Sequence, residues 1–201
     1  MGQILTLVLA LVAFGVEVTG VILAGGKSSR MGQDKGLMPY KEKPLVSYGL
    51  DVLKQFSSRQ LIIANQPGYE GFGVEVIQDI EPELGPIGGI VTALENITTE
   101  KCCVLACDMP FVSAGLFQYL LQHAAKAPIV VPMFKERLQP LAGLYDVAAK
   151  SYFEHCLQQG QLKLTAAIES IDFLTVDIHP ALPFYTRDLF RNFNRPTDLT
   201  L

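Results

Sequence analysis

At 201 residues, 49% of them hydrophobic, the chain suits one compact α/β domain, or one domain with a small lobe, and is long enough to bury a full core. Its formal net charge of −4 argues against duplex nucleic acid as the main partner, because proteins that track a phosphate backbone are usually basic. Four cysteines, Cys102, Cys103, Cys107 and Cys156, include no Cys-x-x-Cys pair and are too sparse for a disulfide scaffold, so buried free thiols in a reducing cytoplasm are expected.

Residues 4–16 are almost wholly apolar yet lack the positive leader of a secretory signal. Extending that run to Leu23 reaches spanning length. It would also put Glu17 in lipid, at about 2.5–3.5 kcal/mol near the centre, and consume the strand that follows. Residues 1–16 therefore read as an apolar N-terminal extension of a domain that occupies 17–201, with a membrane anchor as the alternative. Residues 16–23 are strand-like and apolar on both faces, as a central parallel strand is.

Gly25-Gly26 break that run, and a loop carrying Lys27, Arg30 and Lys35 follows. Paired glycines let backbone N–H groups approach a ligand closely and the cations neutralise charge, which is what a polyphosphate needs. A Walker loop would require lysine where Gly26 stands, and no Gly-x-Gly-x-x-Gly occurs, so this is a different nucleotide loop. A charged turn spans 40–44. Leu45, Tyr48, Gly49, Val52, Leu53 and Phe56 then recur at helical spacing. Strands are expected over 60–64, ending at Asn65, and over 74–77, ending beside Asp79. After the breaker-rich turn 81–86, a helix starts near Pro86, whose missing N–H suits a first helical position. Ile87, Ile90, Val91 and Leu94 form its buried stripe, and Gly88 and Gly89 permit close backbone approach. A strand over 102–106 leads to Asp108. Ser113 is placed to cap a helix burying Leu116, Phe117, Leu120, Leu121 and Ala124. Further strands are read over 129–131, 140–145 and 173–176, with helices over 148–158 and 164–170 and an extended segment over 192–196. Apolar strands alternating with helices predict a three-layer α/β/α sandwich around a mostly parallel sheet.

In such sheets ligands bind outside the carboxyl ends of the strands. The glycine loop, Asn65, Asp79 and Asp108 fall there, at four successive strand ends. Asn and Asp commonly end strands as turn residues, so no one of them is informative alone; together they supply complementary chemistry. The loop with Lys35 and Arg30 can hold a triphosphate, an amide and a carboxylate can read a base edge, and Asp108 can carry Mg²⁺. Asp34 reads as a loop or capping residue. The three histidines are scattered and form no ligand spacing.

Leu23-Ala24-Gly25-Gly26 through Arg30-Met31-Gly32, Asp34-Lys35, Gly85-Pro86-Ile87-Gly88-Gly89 and Cys107-Asp108-Met109-Pro110-Phe111 resemble the molybdenum cofactor guanylyltransferase family. That family has a nucleotide-diphospho-sugar transferase-like, Rossmann-like fold, and the similarity runs from about Val18 to the C-terminus. The resemblance implies GTP binding by Leu23, Ala24, Gly25, Gly26 and Lys35, base-side contacts near Asn65 and Asp79, and a cleft shaped by Gly85 and Gly89. It implies Mg²⁺ on Asp108, and acceptor contacts at Asn192 and Asn194. Residues 140–145 match the acceptor-side strand. Two departures stand out: Gln139 replaces the His of many members, and residues 1–16 precede a loop that members usually reach within a few residues.

The expected reaction is transfer of GMP from GTP to the phosphate of molybdopterin, with release of pyrophosphate and with Lys35, Arg30 and Asp108 as catalytic residues. A phosphomonoester with a second pKa near ~6 is largely ionised at neutral pH and needs no general base. GTP and molybdopterin are then the partners, with molybdoenzymes or their chaperones beyond them; no nucleic acid or membrane partner is expected. The rivals are a cytidylyltransferase of the same fold, acting on the same pterin or on a sugar or polyol phosphate, and a non-catalytic nucleotide-binding module.

Overall fold

The apolar runs become strands of one sheet with helices on both faces, in a computed structural model that describes residues 16–24, 34–79 and 84–200. The strands are β1 (Val18–Leu23), β4 (Arg59–Ile63), β5 (Glu75–Ile77), β6 (Lys101–Ala106), β7 (Ile129–Phe134), β8 (Arg137–Leu138), β9 (Ala142–Asp146) and β10 (Leu174–Asp177). Two short strands, β2 (Pro39–Tyr40) and β3 (Lys43–Pro44), form a separate hairpin. The helices are α1 (Leu45–Leu53), α2 (Gly85–Asn96), α3 (Ala114–Leu121), α4 (Lys150–Gln158) and α5 (Leu164–Ile168).

The sheet runs β10-β7-β9-β6-β1-β4-β5, with β8 paired to β7. Alternation along each strand divides the core. Val18 and Ile22 of β1, with Cys103 and Leu105 of β6, pack on Val46, Leu50 and Leu53 of α1 and on Leu116, Phe117 and Leu120 of α3. Val21, Cys102 and Val104 face the other way, onto Ile87, Ile90 and Leu94 of α2, Phe153 of α4 and Ile168 of α5. Two apolar layers on opposite faces of one sheet are the expected α/β/α sandwich. All four cysteines are buried and free; burial pushes the Cys102 thiol up to about 12 and raises that of Cys103 well above its usual value.

β6-β1-β4-β5 pair in parallel, as do β7 and β10, but β9 runs antiparallel to both β6 and β7. The strand expected over 140–145 begins only at Ala142, because Pro140 and Leu141 belong to the turn that enters it; the Tyr145 hydroxyl donates to the Pro140 carbonyl at 2.7 Å. The charged turn at 40–44 is a tight hairpin, with Lys41 in the left-handed region at φ 53°. β7 continues to Phe134 and returns through Lys135 and Glu136 (φ 49° and 60°) into β8, a hairpin that the short apolar run did not reveal. In α1 the buried residues are Leu45, Val46, Gly49, Leu50 and Leu53; Tyr48 and Val52 are only half-buried. Ser113 occupies the position before α3 with extended backbone, but makes no capping bond, and its buried Oγ lacks a hydrogen-bond partner. The helix expected over 148–158 opens as a 3-10 turn, Val147–Ala149, where the Asp146 side chain accepts the Ala148 N–H.

Candidate functional site

The ladder carries on one residue past the parallel strands and ties their carboxyl ends together. Ala24 N–H donates to Ile63 O at 2.9 Å, Ala64 N–H to Ile77 O at 3.0 Å, and Cys107 N–H to Leu23 O at 3.1 Å. Leu23, Ala24, Asn65, Asp79 and Asp108 therefore share one edge, as the strand-end rule anticipates. Gly25, Gly26 and Arg30 of the glycine loop lie outside the described residues, as do residues 80–83 of the breaker-rich turn.

On the β4–β5 side the polar groups hold one another. Asn65 Oδ1 accepts the Asp79 N–H at 3.1 Å, and the buried Thr92 hydroxyl of α2 donates to Asp79 Oδ1 at 2.8 Å. Asn65 thus spends its carbonyl on the neighbouring strand end and keeps its NH₂ as a donor. The start of α2 lies against these groups at a distance only glycine allows. A Cβ at Gly88 would fall 2.9 Å from Leu84 Cβ and 3.3 Å from Asp79 Oδ1, and one at Gly89 would fall 3.2 Å from Leu23 Cδ2. Gly85 takes φ 64°, a left-handed turn into the helix that a side chain would strain.

The β1–β6 side assembles a cation, a carboxylate and an amide from distant parts of the chain. Lys35 opens a 3-10 turn, Lys35–Leu37, whose cap is Asp34; Asp34 Oδ1 accepts the Gly36 N–H at 2.9 Å and the hydroxyl of Tyr69. Tyr69 is fully buried, and a Cβ at Gly36 would sit 2.3 Å from its oxygen, so this turn is seated directly on the tyrosine. From that base Lys35 Nζ donates to Asn194 Oδ1 at 2.8 Å and to Asp108 Oδ2 at 3.4 Å. Burial pushes the Asp108 carboxyl above the usual carboxylate range, against the pull of the Lys35 ammonium.

The C-terminal segment is stitched onto the same place. Phe193 N–H donates to the Asp108 carbonyl at 2.9 Å, and the buried Phe193 ring meets Tyr40 edge-on at 4.8 Å and Phe111 at 5.6 Å. Asp198 Oδ2 accepts the N–H groups of Asn194 and Arg195 at 2.8 and 2.9 Å; those bonds hold its carboxyl below the usual range. Asn192, on the other side of Phe193, is exposed. The structure thus brings Lys35, Asp108 and Asn194 into contact and keeps Asn65 and Asp79 as a separate pair. Sequence reading missed Tyr69, Thr92 and Asp198. Asp198 was findable: Pro196 opens a 3-10 turn, and an acid two residues later is where a side chain reaches back to cap the turn's own start.

Among the described residues no group of three or more His, Cys, Asp and Glu side chains could hold a metal ion. Asp108 alone fits a metal that takes one carboxylate and fills its remaining positions with phosphate oxygens and water. Also among the described residues, no helix is long and apolar enough to cross a membrane.

Comparison with known proteins gives a consistent result. The MobA-like NTP transferase domain matches residues 20–172. The molybdenum cofactor guanylyltransferase of Yersinia pseudotuberculosis is 37% identical over 189 residues, covering 92% of this chain and 94% of that protein. A relative in Clostridium perfringens, named as a probable enzyme of the same kind, is 34% identical over 179 residues, covering 89% and 90%. The crystal structure of molybdopterin-guanine dinucleotide biosynthesis protein A from Archaeoglobus fulgidus superposes with a TM-score of 0.77 at 24% identity, over 91% of this chain and 95% of that one, and so shares the fold. A Mycobacterium tuberculosis protein crystallised with manganese superposes with a TM-score of 0.60 at 14% identity, over 81% and 88%. With three quarters of its length matched by one domain and its relatives aligned nearly end to end, the chain belongs to the MobA-like NTP transferase family.

Proposed function

We propose that this nucleotidyltransferase moves GMP from GTP to the phosphate of molybdopterin, with molybdenum bound, and that residues 17–201 form its single catalytic domain. An oxygen of the acceptor phosphate forms a bond to the α-phosphorus, the bond from that phosphorus to the bridging oxygen breaks, and pyrophosphate carries away the electron pair. The names of the relatives support the substrate pair. The observation that carries the reading is Lys35, whose ammonium touches both the Asp108 carboxylate and the Asn194 amide. Those two contacts support a seam between nucleotide and acceptor at Lys35.

In this reading Leu23, Ala24 and the glycine loop hold the phosphates and Lys35 and Arg30 neutralise them. Asn65 and Asp79 face the base, Gly85 and Gly89 shape the cleft, and Asn192 and Asn194 orient the acceptor. Asp108 would hold Mg²⁺, and the ion would neutralise charge on the triphosphate. No general base is needed, because the nucleophile arrives ionised. Rate comes from alignment and from charge placed where it develops. The cytoplasm, which supplies GTP and keeps thiols reduced, is the matching compartment, and molybdoenzymes or their chaperones would receive the product.

The test supplies molybdopterin, Mg²⁺ and each nucleoside triphosphate in turn and measures pyrophosphate release. Dinucleotide product with GTP is expected. Product with CTP instead would make the chain a cytidylyltransferase, and tight GTP binding without turnover would make it a binding module.

A further inference from the structure

The segment after Asn65 crosses from the end of β4 to the turn that carries Lys35. Gln66, Pro67 and Gly68 are exposed, and then Tyr69 turns back into the core, fully buried. Three contacts fasten this loop to the turn. The Tyr69 hydroxyl donates to Asp34 Oδ1, the same oxygen that caps the turn by accepting the Gly36 N–H at 2.9 Å. The Tyr69 ring lies so close beneath Gly36 that a Cβ there would fall 3.1 Å from the ring carbon bearing the hydroxyl. Gly68, at a φ of 110° that favours glycine, packs on Leu37; a Cβ on it would fall 2.7 Å from Leu37 Cδ1.

The loop itself is braced. Asn65 Oδ1 accepts the Asp79 N–H at 3.1 Å at one end, Gly68 N–H donates to Glu70 Oε2 at 2.9 Å at the other, and Pro67 removes one backbone rotation between them. Burial first, then the neighbouring Cys107 and Asp34, pushes the Tyr69 phenol well above its usual range, so the hydroxyl stays a donor. A hydrogen bond to a carboxylate, shielded from water, is stronger than one between neutral groups.

We infer that Tyr69 is a positioning residue: its bond to Asp34 fixes the Lys35 turn against the Asn65 strand end and so sets the spacing between the phosphate and base halves of the nucleotide site. This rests on the nucleotide reading above. A ligand that reaches both halves gains from their being held at the right separation, because its second contact then forms within one complex. A ligand that touches one half gains nothing. A residue that merely stabilised the fold would affect whole and half ligands alike.

The test compares three probes on the full protein with Mg²⁺ present: GTP, which spans both halves, and guanosine and inorganic tripolyphosphate, each of which fills one. By calorimetry, Tyr69→Phe should weaken GTP binding by about tenfold while guanosine and tripolyphosphate change by less than about twofold. Asp34→Ala breaks the same bond from its half-buried side, leaves the tyrosine ring in the core and should show the same split. In the double variant the loss for GTP should equal that of Asp34→Ala alone, since one bond cannot be removed twice. Equal weakening of all three probes, unaltered GTP binding, or an additive loss in the double variant overturns the inference and leaves Tyr69 a core residue. If CTP and cytidine show the split where GTP and guanosine do not bind, the guanine reading falls and the positioning role stands. Normal dinucleotide formation from GTP with no split in either variant does the reverse.

Discussion

The two sides of the sheet present their polar groups in opposite ways. Around β4 and β5 they are spent on one another: Asn65 holds the Asp79 backbone, Thr92 holds the Asp79 side chain, and glycines bring α2 against both. Around β7, β8 and the segment after β10, arginines and a lysine line an open hollow, and Asp188 is the one carboxylate among the described residues within ion-pair range of them. A network already satisfied is stiff and selects by shape and bond geometry. Exposed cations attract strongly, are screened by salt and discriminate less. In the proposed function the first side tells bases apart, and Lys35, Asp108 and Asn194 form the seam between nucleotide and acceptor.

Substitutions at that seam should strike both sides and hardest. Asp108→Asn is expected to lower turnover by about 10²–10³-fold while the melting temperature moves by only a few degrees, since the amide keeps the shape and removes a desolvated charge. The pH dependence carries a sign. Burial raises the Asp108 pKa, so the fold disfavours its charged form and gains stability as pH falls through that raised value. The gain should show as a melting temperature of the metal-free protein that rises as pH falls through that window, and Asp108→Asn should lack it. A metal-free melting curve with the same pH dependence in Asp108→Asn would refute this.

Gly36→Ala tests the seat beneath Lys35. The added methyl would lie 2.3 Å from the Tyr69 oxygen, and such overpacking costs about 1–3 kcal/mol. A lower melting point with reduced kcat for both substrates is expected; a fully stable, fully active variant would remove Tyr69 from the account. Thr92→Val should act on one side only. Losing one donor to Asp79 costs about 1 kcal/mol and should raise the KM for GTP several-fold without moving that of the acceptor. A matching rise in acceptor KM would show that the two sides are not separable.

Asp198→Ala is the mildest. It frees the N–H groups of Asn194 and Arg195, and acceptor KM should rise by about twofold with GTP unaffected. The Asp198 pKa is depressed in the fold. Its contribution is therefore present above the ordinary carboxylate value and lost as pH falls through the lowered one, so the variant's difference from wild type should vanish in acid.

Much of the site was legible because it depends on position along the chain. Residues that follow strands end up at one edge, so Asn65, Asp79 and Asp108 could be placed there before any coordinates. Lys35 was readable as a phosphate cation from its place after the paired glycines and Asn194 came from motif resemblance, but the contacts of Lys35 with Asp108 and Asn194 are a tertiary result that no spacing encodes. Tyr69 and Thr92 were invisible for a related reason: each looks like an ordinary core or helix residue until the partner element arrives. Arg137 and Arg187 of the hollow are fifty positions apart and share no pattern. The reversal of β9 was readable but unread. Seven residues separate β7 from β9, too few for the crossover that a parallel neighbour requires.

That reversal has an engineering consequence. Because β9 runs against its neighbours, it starts at the reactive edge and finishes at the opposite one, where Asp146 pairs with Lys101. The connection from Lys135 to Leu141 is thus a lip at that edge, anchored by Leu138 and Leu141 on the core. Its exposed residues, Lys135, Glu136 and Arg137, can be rewritten while the backbone ladder from β5 to β6 stays fixed. Grafting this hairpin between family members should exchange what is modified and leave untouched which nucleotide is consumed, a modularity that a wholly parallel sheet would lack.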